Sequence, residues 1–246
     1  MNTFLFENIN IHSPDSIVEL KNIFETLLNK KETQYISFIN PEIFMQQQNN
    51  LELHKYFEDS TFNFIDGIGL LFAINHKCGT NYGIENRYPG TDFFEYLPER
   101  NIKIFFYGSK PGNAEIAKKK IEEKYPNINI VGTQDGYTKI DENELIEKIN
   151  CLSPDILIVC TGCPKQELWI KNNLSRLCVP VVFGNGGAID FWSESVKRAP
   201  SFMINHGLEW LYRLFQNFTL KRISRQSKLF SFLIKYKFNK YMIEKK

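Results

Sequence analysis

Short apolar segments alternate with amphipathic ones along most of this sequence, and that alternation constrains the fold more than any other feature. Clusters of β-branched and aromatic residues predict buried strands at 35–39, 62–65, 102–107, 128–131, 155–160 and 181–183. Apolar residues at helical spacing predict helices between them, at 17–28, 43–53, 67–76, 114–125 and 142–149. This order predicts an α/β fold with a mostly parallel sheet and helices on both faces.

The first residues precede this alternation. Residues 3–11 are consistent with either an edge strand or a hairpin. Ser13-Pro14-Asp15 then predicts a helix start, with Ser13 as the N-cap and Pro14 at the first helical position.

Charge is distributed unevenly along the 246 residues, whose formal net charge is +2. After Thr219 the chain holds nine basic residues and one acid, so this segment carries +8 and the remainder −6. On a helical wheel its apolar residues form a stripe opposite its basic ones, which is typical of a helix at a membrane surface. We therefore expect an α/β domain over 1–200 and a basic amphipathic helical appendage over 201–246 that meets an anionic membrane surface.

Two other interpretations of the basic segment remain open. It can pack on the body of its own chain, or it can bind nucleic acid. No nucleic-acid-binding fold accompanies it, so we expect no nucleic-acid partner.

Composition excludes several other classes of protein. No run of about 18 apolar residues is present, and the N-terminal residues lack the pattern of a secretory signal. The five cysteines are irregularly spaced, as expected in a reducing cytoplasm. Cys160-Thr161-Gly162-Cys163 has no second cysteine pair, and the four histidines lack metal-ligand spacing, so neither a metal site nor a redox site is expected.

An acid follows the second predicted strand in Phe64-Ile65-Asp66-Gly67-Ile68-Gly69. A carboxylate at the C-terminal end of a strand, beside glycines, is where α/β folds place chemistry. Asp66 is therefore a candidate catalytic residue. The alternative is that Asp66 only caps the next helix.

Other strand ends carry similar signals. Gly108-Ser109-Lys110-Pro111-Gly112-Asn113 joins a strand to a helix, which suits either a phosphate site or a tight turn. Arg87 lies in the polar loop 78–91 and either lines a pocket or forms a surface ion pair. Because the ends of parallel strands share one edge of the sheet, these groups are expected to converge there.

Several segments occur in an order that resembles the WecG/TagA/CpsF family of glycosyltransferases, over residues 35–225. They are Phe64-Ile65-Asp66-Gly67-Ile68-Gly69, Arg87-Tyr88-Pro89-Gly90-Thr91-Asp92, Phe106-Tyr107-Gly108-Ser109-Lys110-Pro111-Gly112, Gly162-Cys163-Pro164-Lys165-Gln166-Glu167-Leu168-Trp169, Gly186-Gly187-Ala188-Ile189-Asp190-Phe191, Arg198-Ala199-Pro200 and Gly207-Leu208-Glu209-Trp210-Leu211-Tyr212-Arg213-Leu214. Two positions depart from the family pattern. Phe38 stands where many members have Thr, and Asn217-Phe218 stands where many have Glu-Pro.

The resemblance implies an inverting, metal-independent enzyme without a cofactor, peripheral on the inner face of the plasma membrane. It also implies that residues 1–200 form a Rossmann-like catalytic domain. It implies transfer of an N-acetylmannosamine-type or related hexose from a UDP-sugar to a polyprenyl-diphosphate-linked sugar, in surface polysaccharide or glycolipid synthesis. A homo-oligomer is left open. By resemblance Asp66 is the catalytic base, and the substrate-binding residues are Asn40, Arg87, Asp92, Gly108, Gly162, Pro164, Gln166, Glu167, Gly187, Asp190, Arg198, Arg213, Arg222 and Arg225.

The chemistry of glycosyl transfer agrees with these assignments, because the reaction needs a base for the acceptor and positive charge for the departing diphosphate. The sequence has no Asp-x-Asp metal clamp, so arginines are expected to supply that charge. Two competing functions are a nucleotide-cofactor oxidoreductase and a non-catalytic membrane adaptor. The first would require a dinucleotide-binding fingerprint, which the sequence lacks. The second would not require a carboxylate at Asp66.

Overall fold

A computed structural model describes residues 1–205, 211, 212 and 234. Its strands are β1 Asn2–Phe6, β2 Ile9–Ser13, β3 Gln34–Ile39, β4 Phe62–Ile65, β5 Ile102–Gly108, β6 Ile128–Gln134, β7 Ile156–Cys160 and β8 Val181–Gly184. Its α-helices are α1 Ile17–Leu28, α2 Pro41–Gln47, α3 Leu51–Glu58, α4 Ile68–Cys78, α5 Asn113–Lys124, α6 Glu142–Leu152, α7 Lys165–Asn173, α8 Ala188–Trp192 and α9 Ser201–Asn205. Short 3-10 helices lie at Ile84–Asn86, Gly90–Tyr96 and Leu174–Arg176.

The strands form one sheet in the order β1-β2-β4-β3-β8-β7-β5-β6. Only the β1–β2 pair is antiparallel within this sheet of described residues. Helices connect most of the parallel strands, as such crossovers require. The predicted α/β fold with a mostly parallel sheet is therefore confirmed.

The N-terminal segment is a hairpin, one of the two structures that the sequence left open. Its two-residue turn is Glu7-Asn8, and both residues have positive φ, of 50° and 66°. Two such residues in succession suit the right-handed twist of the flanking strands. The hairpin joins the parallel sheet through the pairing of His12 with Phe64.

Apolar side chains cover both faces of the sheet. One buried cluster contains Phe24 of α1, Ala117 of α5 and Ile189 of α8. The cluster on the other face contains residues of α2, α3, α4, α6 and α7. Successive strand residues point to opposite faces, so Phe38 and Phe64 belong to the first cluster and Ile39 and Ile65 to the second.

The predicted start of the first helix is wrong. Ser13 is the last residue of β2 and is fully buried, because β2 stays paired with β1 as far as Asn2↔Ser13. The N-cap is Ser16, whose side chain accepts a hydrogen bond from the Glu19 N–H at 3.1 Å. Pairing across the hairpin therefore overrides the Ser-Pro signal.

The single helix predicted over 43–53 is also wrong, since the chain forms two helices there, α2 and α3. Between them Asn50 adopts an extended conformation, and its side chain accepts from the Leu53 N–H at 3.1 Å. Asparagine competes in this way with continuous helix by bonding to nearby backbone groups. After the break, α3 buries Leu53, Tyr56 and Phe57 on the same face of the sheet as α2.

The division at residue 200 and most of the appendage stay predictions, because residues 206–210, 213–233 and 235–246 lie outside the described part. Among the described helices, none combines the length and apolar character needed to cross a bilayer.

Candidate active site at the C-terminal edge of the sheet

The C-terminal ends of the parallel strands gather candidate residues at one edge of the sheet. Asn40 follows β3, Asp66 follows β4, Gly108 ends β5, and Gly162 lies just after β7. Gly187 lies beyond β8 and immediately precedes α8. The expected convergence of these positions is what a parallel sheet produces.

Asp66 lies against the turn that follows β3. Its N–H donates to Ile39 O at 2.9 Å. A Cβ placed on the next residue, Gly67, would stand 2.5 Å from Pro41 Cδ and 3.2 Å from Asn40 Cβ. The absence of a side chain at Gly67 thus lets the two turns touch and places Asp66 beside Asn40.

The alternative in which Asp66 only caps a helix is wrong. Helix α4 has Gly67 as its N-cap, and no side chain caps it. Asn40, in contrast, does cap its helix, because its Oδ1 accepts from the Ile43 N–H at 3.0 Å. Helix capping therefore does not account for a carboxylate at Asp66.

The loop that carries Arg87 is bound to the end of β4. The N–H of Tyr88 donates to Ile65 O at 2.6 Å, which places Arg87 next to the strand end that bears Asp66. Arg87 is half-buried, and its Nε is buried without a hydrogen-bond partner among the described residues. No ion pair joins Arg87 to another described residue, so the surface ion pair considered from the sequence finds no support.

Tyr96 is a buried phenol on which several charged groups of this site act. Its hydroxyl is buried and donates to Pro89 O at 3.1 Å. Burial raises the pKa of Tyr96, the negative charges of Asp92 and Asp66 raise it further, and the positive charge of Arg87 opposes them. These charged groups therefore all act electrostatically on one buried phenol. Sequence reasoning missed Tyr96 because it carries no motif signal.

The segment after Arg87 is tied to the region that follows β8. Asn185 Nδ2 donates to Gly90 O at 2.8 Å, and Trp192 Nε1 donates to Thr91 O at 2.9 Å. Asp92 forms an ion pair with Arg198, with 2.5 Å between Oδ1 and Nη1. Asn185 was a missed residue that the sequence did signal, as the first polar residue after a strand.

Gln166 and Glu167 are buried in the first turn of α7, with 1% and 3% exposure. Gln166 Oε1 accepts from the N–H groups of Gly162 and Gly186, at 3.1 and 3.0 Å. Burial raises the pKa of the Glu167 carboxyl. Pro164 immediately precedes the helix, after a cis peptide bond with Cys163. These side chains join strand ends, and their contact with a substrate stays a prediction.

Asp190 on α8 is joined to the glycine loop after β5. Its Oδ1 accepts from Ser109 Oγ and from Asn113 Nδ2, the latter at 3.0 Å. Ser109 and Asn113 were not predicted as site residues. The polar side chains of this loop already donate to the carboxylate of Asp190, so a phosphate bound there would lie close to another negative charge. The tight-turn interpretation of the loop is thus favoured over the phosphate site.

The cysteines do not form a reactive pair. All five are free thiols, and burial raises the pKa of Cys160 to about 12, which keeps it protonated and unreactive at neutral pH. In the part of the chain that the structure describes, no three His, Cys, Asp or Glu side chains gather as metal ligands. A metal-independent reaction stays a prediction.

Phe38 belongs to the aromatic core beneath the site. It is 4% exposed, and its ring lies 5.4 Å from that of Phe183 and 5.6 Å from that of Phe64. Ser37 points to the opposite face, as predicted, near the hydroxyl of Tyr56. Burial and the negative charge of Glu167 raise the pKa of Tyr56, and Ser37 partly opposes them. Ser37 therefore does not replace the hydroxyl that a Thr at position 38 would provide.

The predicted arginines of the appendage, Arg213, Arg222 and Arg225, lie outside the described residues.

Comparison with known proteins identifies relatives of this chain. The sequence model of the Glycosyl transferase WecG/TagA/CpsF family matches residues 5–243. A Bacillus subtilis protein named N-acetylglucosaminyldiphosphoundecaprenol N-acetyl-beta-D-mannosaminyltransferase is 35% identical over 194 residues, which cover 77% of this chain and 74% of the relative. A protein of the same name from Bacillus spizizenii is 33% identical over 196 residues, 78% of this chain and 75% of the relative.

Proposed function

The chain belongs to the WecG/TagA/CpsF family of glycosyltransferases, and from that premise we propose that it transfers N-acetylmannosamine from UDP to a polyprenyl-diphosphate-linked N-acetylglucosamine. The observation that carries the proposal is the similarity, over three quarters of each chain, to relatives named as N-acetylmannosaminyltransferases of N-acetylglucosaminyldiphosphoundecaprenol. The UDP donor is what the family resemblance implies. The product would enter surface polysaccharide synthesis. The oxidoreductase and adaptor alternatives find no support in these relatives.

Asp66 is the base in this reaction. Its carboxylate removes the proton from the acceptor hydroxyl as the oxygen forms a bond to C1 of the sugar. The bond from C1 to the phosphate oxygen breaks on the opposite face, and UDP departs with that electron pair, so the configuration at C1 inverts. The position of Asp66 at the end of β4, beside Asn40 and the Arg87 loop, supports this role.

Arg87 neutralises part of the diphosphate charge. Its half-buried guanidinium keeps a buried Nε without a partner among the described residues, which suits an anionic ligand. Arg213, Arg222 and Arg225 supply further positive charge, as the family resemblance implies. Asp190 suits the hydroxyl groups of the nucleotide or sugar rather than phosphate, because carboxylates accept hydrogen bonds.

The remaining predicted residues shape the site. Asn40 holds the turn after β3, and the ion pair of Asp92 with Arg198 fixes the loop beside Asp66. Glycines at the strand ends, such as Gly108, allow close backbone approach there. The basic segment after residue 219 holds the enzyme on the inner, anionic face of the plasma membrane.

The test uses the full-length protein, a short-chain diphosphate-linked N-acetylglucosamine acceptor, and a panel of UDP-sugars. We expect transfer from UDP-N-acetylmannosamine at least tenfold faster than from UDP-N-acetylglucosamine or UDP-glucose. A site that hydrogen-bonds the acetamido group at C2 disfavours a donor that carries this group in the other configuration and one that lacks it. The anomeric configuration of the product is read by NMR. Retention at C1, or transfer from another donor only, would contradict the proposal.

A further inference from the structure

The amide of Gln166 joins two loops of the site through one oxygen. Its Oε1 accepts from Gly162 N–H at 3.1 Å and from Gly186 N–H at 3.0 Å, so it bridges the loops after β7 and β8. The other end of the amide is used as well, because Nε2 donates to Glu167 Oε1 at 2.7 Å. Every one of these contacts is at least partly buried from water.

The orientation of this amide decides whether the bridge exists. A side-chain amide has an acceptor end and a donor end, and only the acceptor end can bind two backbone N–H groups. A carboxylate accepts hydrogen bonds and binds only the donor end. Glu167 therefore selects the orientation in which the oxygen of Gln166 faces Gly162 and Gly186.

Space for the bridge is provided by the end of β8. A Cβ on Gly184 would lie 2.5 Å from Gln166 Nε2 and 2.8 Å from its Cγ. The bridge also continues beyond the two loops. Asn185, next to Gly186, donates from Nδ2 to Gly90 O, three residues after Arg87. Contacts thus run from Glu167 to the segment that carries Arg87 and Asp92.

We propose that Glu167 is a positioning residue, which orients the Gln166 amide and thereby holds the loops after β7 and β8 in register with the Arg87 segment. Its kinetic consequence rests on the proposed function, whereas its structural consequence does not. Glu167 is 3% exposed and acts through Gln166 rather than by contact with the reacting atoms.

Two substitutions at the same position separate this role from simple packing. Glu167→Leu fills similar space without an acceptor, whereas Glu167→Gln keeps a carbonyl oxygen that can bind Gln166 Nε2. We expect Glu167→Leu to lower kcat/KM for the UDP-sugar about 10²-fold, the usual effect of misplacing groups by about 1 Å. Glu167→Gln is expected to recover at least tenfold of that loss.

Ile170→Ala is the matched control. Ile170 is fully buried one turn later on α7 and takes no part in the bridge. A purely structural effect reduces the folded fraction, so kcat falls at constant KM. Misplaced loops instead raise the KM for the donor. We expect the rise in KM for Glu167→Leu only, with unchanged KM for Ile170→Ala.

A double-mutant cycle tests whether Glu167 acts through Gln166. If it does, Glu167→Leu should lower kcat/KM less than about threefold further in a Gln166→Ala background, because the two effects are not independent. Full additivity of the two losses would overturn the proposal.

Hydrogen exchange gives a measurement that does not depend on the reaction. Relative to the core amides of β7, the Gly162 and Gly186 amides should exchange faster in Glu167→Leu than in the wild-type protein, and at close to the wild-type ratio in Glu167→Gln. In Ile170→Ala any faster exchange should be shared by those core amides, because lower overall stability affects them together. Unchanged exchange at both amides in Glu167→Leu overturns the proposal even if activity falls. If the proposed function fails, the wild-type protein shows no sugar transfer while this exchange difference persists.

Discussion

Gly67→Ala tests whether close contact of two turns positions Asp66. Gly67 has φ −105° and ψ 138°, which alanine adopts without strain. The added Cβ would nevertheless stand 2.5 Å from Pro41 Cδ and 3.2 Å from Asn40 Cβ. The substitution therefore changes the contact between the turns without changing any hydrogen-bonding group.

The expected magnitude follows from these distances. Ordinary contacts at a Cβ begin at 3.4 Å, so the turns must separate by about 0.9 Å. Overpacking of this kind costs about 1–3 kcal/mol of stability. A displacement near 1 Å between Asp66 and the groups around it is expected to lower turnover about 10²-fold, which corresponds to about 2.7 kcal/mol in the activation barrier.

Gly79→Ala is the control at the other end of the same helix. Gly79 has φ 68°, and a Cβ there would meet nothing within 4 Å. Alanine in this left-handed conformation costs about 1–2 kcal/mol, a loss similar to that of Gly67→Ala. We expect both variants to lose stability in urea unfolding and only Gly67→Ala to lose turnover with the short-chain acceptor. Wild-type turnover in Gly67→Ala would refute the reasoning.

Further outcomes follow from the site and the sequence. Asp66→Asn should lower kcat about 10²–10⁴-fold, the usual contribution of a general base, and leave the unfolding midpoint unchanged; near-normal kcat would remove Asp66 from the mechanism. Activity should survive EDTA if arginines neutralise the diphosphate as proposed, and loss restored by Mg²⁺ would contradict this. A chain ending at Phe218 should lose both vesicle binding in sedimentation and transfer, whereas one ending at Lys228 should lose mainly binding, about 1 kcal/mol per surface-proximal basic residue; full-rate transfer by the shorter chain would make the tail only an anchor. Phe38→Thr should destabilise the fold by about 3–5 kcal/mol in urea unfolding, because Phe38 fills the aromatic core; a smaller loss would mean that the core repacks around Thr.

Local sequence patterns sufficed where a single segment decides its own structure. The apolar strand segments and most of the helices between them were predicted within a few residues, because strand and helix periodicities are properties of neighbouring residues. The helix α7 was not predicted, and the helix predicted over 43–53 is two helices. The position of Asp66 at a strand end followed from the same pattern. Its place beside Arg87 was expected only in general terms, from the shared edge of a parallel sheet.

Two other features depended on specific contacts rather than on residue type alone. Ser13 has the residue type of a helix cap, but the pairing of β2 with β1 keeps it in a strand. The helix predicted over 43–53 broke at Asn50, where a side chain bonds to the backbone. In both places a contact competed successfully with a local preference.

The family pattern drew attention to Gln166 and Glu167 and placed them near the nucleotide sugar. It did not indicate that both are buried, or that one orients the other. Those facts require β7 and β8 to be neighbours, so that Gly162 and Gly186 can share one acceptor. The amino-acid sequence alone determined the order of most strands and helices along the chain and which chemical groups stand at the strand ends. Tertiary structure decided which of those groups meet, because strand order and burial arise only when distant segments pack together.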